Sequence, residues 1–294
     1  MAEQGLSWDL VADLQVLLQF HFMQNALLVG TMVAVLSGAV GYFIVLRGQS
    51  FAAHMLSQVG FPGAAGAVLV HASPVAGLLV FCVGAALGVG AIGRRLDGGR
   101  RAESAAVGTI LAFSLGLGLL FFRLYAGSAQ GIYAFLFGTI LGITDRDVVI
   151  TAITALLALA ALLALGRPLI FASIDPDVAD ARGVPVRLLS VAFLVLVALA
   201  VAATVQIVGT LLVFALLVAP GAAAQRLTAR PAAGLALTVG LALLFTWLGL
   251  AVAYFSGQPV SFFITTLAFG TYLAIRLAQG ARLPRRPGAA AVAD

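Results

Sequence analysis

The sequence predicts an all-α fold, a polytopic bundle of membrane-spanning helices. Of its 294 residues, 62% are hydrophobic and only 9% charged, with a mean hydropathy of +1.13. A soluble domain is about 45–50% apolar. Apolar segments of about 20 residues, each able to cross ~30 Å of hydrocarbon as a helix, recur from Phe22 to the C-terminal tail. All sixteen basic residues are arginine, and they sit mainly in short links between apolar runs. Threading the runs alternately through a membrane puts fourteen of the sixteen on one side, which fixes an expected orientation.

Taken in order, residues 1–21 contain Glu3, Asp9 and Asp13 but no basic residue. A signal peptide begins with positive charge, so the first apolar run is read as a retained span. Ser7 as an N-cap, followed by Trp8, Leu10, Leu14, Leu17 and Leu18, predicts an amphipathic helix on the outer surface. The expected spans are 22–46, 52–72, 74–93, 104–123, 147–166, 188–206, 208–225, 233–254 and 260–276. Gly209, Pro220 and Gly221 interrupt 188–225, so one long helix plus a re-entrant piece is the alternative, giving eight spans. The apolar segment 130–143 is too short to cross twice and is read as a short external helix or re-entrant segment. Arg47, Arg94, Arg95, Arg100, Arg101, Arg167, Arg182, Arg187, Arg226, Arg230, Arg276, Arg282, Arg285 and Arg286 then lie inside, with Arg123 and Arg146 outside. The chain divides into an external segment (1–21), a transmembrane domain (22–278) and a disordered cytoplasmic tail (279–294). The expected location is the plasma membrane, with the N-terminus outside.

Several function classes drop out. There is no H-E-x-x-H zinc motif, no G-x-S-x-G elbow and no aspartate-rich span, so an intramembrane enzyme is disfavoured. There is no phosphate loop and no lysine to build one, so ATP-driven work requires another subunit. The net charge of +5 resides in topology-setting arginines and implies no nucleic-acid partner. Cys82, the only cysteine, lies in an apolar run and reads as a packing thiol. Small residues four apart at Ser37/Gly41 and Gly84/Gly88 favour close helix approach without identifying the partner helix.

Two stretches carry chemistry. In RGQSFAAHMLSQVGFPG, residues 47–63, His54, Ser57 and Gln58 stand at i, i+3 and i+4 on one helical face. Pro62, with Gly60 and Gly63, is expected to loosen the helix one turn later. Polar side chains inside a span face protein or a wet cavity. The second stretch is FASIDPDVADARGVPVR, residues 171–187, where Asp175-Pro176 offers a helix start and Gly183 with Pro185 a stop. This predicts a short surface helix whose carboxylates face a soluble partner. His21 and His71, at the outer ends of spans, read as solvated interface residues.

On these residues the chain resembles the metal-ion permeases of ABC importers, the zinc and manganese class, from about Phe22 to Arg276. The family pattern R-x-x-x-F-x-G-D-x-L-S-H-x-x-x-P-G is matched at Arg47, Phe51, Leu56, Ser57, Pro62 and Gly63. The loop pattern D-P-x-x-A-x-x-x-G-[VL]-P is matched at Asp175, Pro176, Ala179, Gly183, Val184 and Pro185. Glu103 with Gly108, and residues 208–228, resemble two further family segments. The resemblance implies that Asp175, Pro176, Asp177, Ala179, Asp180, Gly183 and Pro185 form a coupling element docked on a cytoplasmic ATPase. It further implies an extracellular metal-binding lipoprotein, a second permease copy forming a homodimer, no permanently bound cofactor, and ATP on the partner subunit. His54 and Gln58 occupy positions where the family carries aspartate and histidine. They become the candidate transient metal contacts, and with Ser57 the candidate translocation path. The alternative is that they merely hydrogen-bond across a helix interface. A permease for a metal chelate (siderophore, haem or cobalamin) is the rival function, and a channel or scaffold without an ATPase is the more distant one.

Overall fold

The computed structural model describes residues 19–95, 99–124 and 143–282, the side chains of 93–95, 99–103, 206–208, 211 and 280–282 excepted. Every regular element among them is a helix. They are α1 (His21–Leu46), α2 (Ser50–Leu69), α3 (Pro74–Arg95), α4 (Gly99–Leu124), α5 (Asp145–Ile174), α6 (Pro176–Ala181), α7 (Val186–Val208), α8 (Thr210–Leu227), α9 (Pro231–Ser256) and α10 (Val260–Arg282). Residues 7–18 of the expected amphipathic helix, 130–142 of the short external segment and most of the C-terminal tail lie outside the described residues.

Nine long helices occupy the nine expected stretches. Seven of them (α1, α3, α4, α5, α7, α9 and α10) are long and apolar enough to cross a membrane. The polar His54, Ser57 and Gln58 dilute the 20-residue α2, and α8 is an 18-residue helix that is apolar over Leu212–Leu227. Between α7 and α8 the chain breaks at Gly209 alone, whose φ of 82° and ψ of 157° suit essentially only glycine. Pro220 and Gly221 lie inside α8 and end nothing, so Gly209 alone divides 188–225, into α7 and α8. Similarly, α2 runs through Pro62 to Leu69; Gly60 and Gly63 serve packing there instead of loosening the helix. α5 continues past Arg167 and Pro168 to Ile174.

The bundle is apolar on its outside as well as inside. Leu163 is 80% exposed, Phe113 71% and Leu156 70%, positions suited to lipid contact. Lipid tails are as apolar as leucine, so helix association depends on close packing. Glycine supplies that packing at two crossings. A Cβ on Gly41 of α1 would sit 2.1 Å from the Leu217 carbonyl oxygen of α8, and one on Gly221 would sit 2.9 Å from the Gly41 oxygen. On α2 and α3, Gly63 and Gly77 face each other reciprocally: a Cβ on either would come within 2.5 Å or 2.2 Å of the other's carbonyl oxygen. Gly84, although part of an identical small-residue pattern, has nothing within 4 Å.

Polar contacts then tie the two ends of the bundle. At one end, Gln225 Nε2 donates to the Tyr42 carbonyl at 3.0 Å and Gln279 Nε2 to the Arg226 carbonyl at 2.6 Å. These bring the C-terminal ends of α1, α8 and α10 together at the end where most arginines lie. At the opposite end, Asp145 Oδ1 accepts from Asn25 Nδ2 at 2.8 Å and lies 2.9 Å from His21 Nε2, joining the starts of α1 and α5.

Candidate functional site

The turn from α1 into α2 is built by its backbone. Gly48, at φ 68°, follows the α1 C-cap Arg47. The bonds Gln49 N–H to Ile44 O (2.9 Å) and Gly48 N–H to Val45 O (3.1 Å) close the paired pattern of a Schellman motif. α2 therefore starts at Ser50, and His54 stands slightly more than one turn in. Its ring packs edge-on against Phe214 of α8, with centroids 4.7 Å apart. His54 and Gln58 are half-buried. Ser57 is fully buried, and its hydroxyl donates to the His54 carbonyl at 2.7 Å, which leaves it no free proton to offer a passing ligand.

The neighbourhood contains polar groups that sequence reasoning passed over. Among the described residues, three buried side-chain atoms have no hydrogen-bond partner: His54 Nδ1, Ser37 Oγ and Thr210 Oγ1. They belong to α2, α1 and α8, which pack on one another. Helix register brings them close in depth. Thr210 precedes Phe214 by one turn of α8, as Gln58 follows His54 by one turn of α2, and these two helices run in opposite directions. Ser37 lies one turn from Gly41, itself held against Leu217. A buried polar atom without a partner costs about 1–3 kcal/mol, and two such hydroxyls lie on helices that pack against the one carrying His54. In the sequence Ser37 reads as the small residue of the Ser37/Gly41 pair, and Thr210 as one position of the family-like segment 208–228.

Among the described residues no carboxylate falls in this region: Glu103, Asp145, Asp147, Asp175, Asp177 and Asp180 lie near the ends of long helices or in the short α6. Among the described residues no three His, Cys, Asp or Glu side chains gather as a metal site. A separate cavity of about 240 Å³ lies between α3, α5 and α7, lined by Leu79, Thr151, Ala158 and Leu199 among others. No α2 residue lines it. Cys82 is buried, its thiol directed at the Leu56 carbonyl at 3.5 Å, which suits the packing role. His21 is exposed and paired with Asp145. His71 is also exposed and adopts φ 55°, where it closes α2 by the same backbone pattern that Gly48 provides for α1.

The predicted surface helix is present as α6. Asp175 is its N-cap, accepting from the Val178 N–H at 3.0 Å, with Pro176 at the first helical position. Gly183, at φ 81°, closes it through Val184 N–H to Ala179 O (3.0 Å) and Gly183 N–H to Asp180 O (2.9 Å). Ala179 is completely buried beneath the helix. Asp177, Asp180 and Pro185 are exposed, as is the apolar Val178. The result is a short anchored helix with two free carboxylates and an apolar side chain facing outward.

Residues 19–279 match the ABC 3 transport family. The chain is 32% identical over 215 residues to the manganese transport system membrane protein MntC of Listeria innocua, covering 73% of this chain and 75% of that protein. Over 236 residues it is 32% identical to the manganese import system permease protein ScaB of Streptococcus parasanguinis, covering 80% and 83%. Among solved structures, PsaBC from Streptococcus pneumoniae in complex with Fab superposes with a TM-score of 0.79 at 28% identity, covering 90% of this chain and 94% of that one. With the helical bundle, the capped surface helix and the polar region around His54 all in place, the chain belongs to the ABC 3 transport family and is a membrane permease subunit.

Proposed function

We propose that this chain forms one half of the pathway of an ATP-driven importer for a divalent transition metal ion, zinc or manganese. It sits in the plasma membrane with the N-terminus outside and the arginine-rich end, including α6, in the cytoplasm. A second copy completes the pathway, an extracellular metal-binding lipoprotein delivers the ion, and a cytoplasmic ATPase drives the cycle. The observation that carries this reading is α6. An anchored helix with outward Asp177 and Asp180, in a chain that has no lysine for a phosphate loop, is what a membrane subunit needs to engage a separate motor. The relatives named for manganese transport favour a metal ion over a metal chelate.

The path is assigned to the face of α2 bearing His54, Ser57 and Gln58, with the hydroxyls of Ser37 and Thr210 alongside. His54 supplies an imidazole and Gln58 an amide oxygen, while Ser57 contributes by bonding to the His54 carbonyl. Such a set binds transiently: without a carboxylate there is little fixed charge to trap a divalent cation in a low-dielectric passage.

The test is reconstitution of the permease with its ATPase in lipid vesicles. Reversing the charge at Asp177 and Asp180 to lysine is expected to release the ATPase and abolish uptake. Normal co-purification with wild-type uptake would sink the assignment of α6.

A further inference from the structure

Arg47 differs from an ordinary arginine at the end of a span. Its backbone is held as the α1 C-cap by the Gly48 closure, and its side chain is half-buried. The guanidinium reaches two helices distant in sequence. Nη2 donates to Ser190 Oγ at 2.6 Å and Nη1 to Ser173 Oγ at 3.4 Å, while Nε donates to Gln49 Oε1 at 3.4 Å. Its Cζ also lies 5.6 Å from the centroid of the Phe193 ring. Ser173 is in the last turn of α5, two residues before Asp175, and Ser190 is early in α7, five residues after Pro185. Both serine protons are committed to their own helices: Ser173 Oγ donates to the Leu169 carbonyl and Ser190 Oγ to the Val186 carbonyl. Each hydroxyl oxygen is thereby turned into an acceptor for the cation.

The two strands of chain that hold α6 are thus bonded to one guanidinium, and that guanidinium is continuous with the turn into α2. We propose that Arg47 is the positioning residue that makes α2 follow α6. A displacement of α6 must move the end of α5 and the start of α7. A planar fork bonded to both, in a half-buried setting, carries that displacement into the α1–α2 turn and to His54 two turns beyond Arg47. The positive charge alone would serve orientation in the membrane; the fork geometry is what a relay needs, and lysine cannot reproduce it. The proposal rests on the reading of α6 as the ATPase dock.

The experiment measures ATP hydrolysis and uptake of zinc and of manganese ions together, in vesicles containing the complete complex. Arg47→Lys keeps the charge and loses the fork. It is expected to retain the ATPase at the wild-type ratio and to hydrolyse ATP near the wild-type rate, while the metal moved per ATP falls about tenfold. The double variant Ser173→Ala/Ser190→Ala keeps the arginine and removes both acceptors, and should fall in the same direction by about threefold. Because it tests the relay without touching Arg47, it decides the matter even if Arg47→Lys fails to fold. Wild-type metal per ATP in either variant overturns the proposal, as does loss of the ATPase from a folded Arg47→Lys complex, which would make the residue part of docking. Retention of the ATPase after charge reversal at Asp177 and Asp180 overturns the docking reading instead, whatever Arg47→Lys does.

Discussion

Replacing Gly41 by alanine tests the packing argument at its tightest point. The added methyl would lie 2.1 Å from the Leu217 carbonyl oxygen, 2.9 Å from its carbonyl carbon and 3.3 Å from its Cα. All three are backbone atoms of a helix interior, so no rotamer change relieves the contact. Reaching ordinary separation needs roughly 1.3 Å of movement between α1 and α8. Overpacking of this kind costs about 1–3 kcal/mol, or a fall in Tm of roughly 2–12 °C at about 2–4 °C per kcal/mol for chains of this order of size. The movement also strains the Gln225–Tyr42 hydrogen bond and shifts Phe214 relative to His54, so uptake should fall with stability. Gly84→Ala is the matched control: with nothing within 4 Å of its Cβ, it is expected to be neutral or to gain up to about 1 kcal/mol of helix propensity. Thermal unfolding of both variants in one detergent decides it. A Gly41→Ala protein melting with the wild type would refute the close α1–α8 approach.

Cys82 is buried, so single cysteines can be introduced without background labelling. Asp177→Cys should be protected from an impermeant thiol reagent in intact cells and Gln258→Cys labelled, and the reverse pattern would overturn the orientation. His54→Asp places a carboxylate in a region that has none, and because carboxylate suits manganese while imidazole suits zinc, the manganese-to-zinc uptake ratio should rise about tenfold; an unchanged ratio would remove His54 from the path. Gly183→Val forces a β-branched residue into φ 81° at a cost of about 1–2 kcal/mol, and it should weaken ATPase association in pull-downs while uptake falls in proportion; undiminished association would show that the α6 closure is dispensable.

What could be read from the sequence was what depends on near neighbours. The start and stop of α6 were legible because Asp175, Pro176 and Gly183 act within four residues of themselves. The long helices were legible as apolar runs, although α5 outlasts its expected end by eight residues, since a helix continues wherever its backbone bonds are satisfied. The break at Gly209 was marked together with Pro220 and Gly221, and only the backbone angles separate the one that ends a helix from the two that do not. Partnership between distant helices was not legible. Ser37/Gly41 and Gly84/Gly88 have the same spacing, yet one meets a neighbouring backbone and Gly84 meets open space. Arg47 read as a topology signal because its acceptors lie 126 and 143 residues away.

The reciprocal contact between Gly63 and Gly77 bears on how the protein is made. α2 is not among the seven helices long and apolar enough to cross a membrane, whereas α3, the next in the chain, is. Carbonyl oxygens facing the bare Cα of the opposite glycine let the two helices meet without intervening side chains, so α2 can be drawn in as one arm of a hairpin. The helix that carries His54 would then owe its membrane residence to its successor. Gly77→Leu, whose side chain would meet the α2 backbone at Gly63, should accordingly lower the yield of membrane-integrated chain in pulse-labelled cells, a defect of biogenesis seen before any transport is measured.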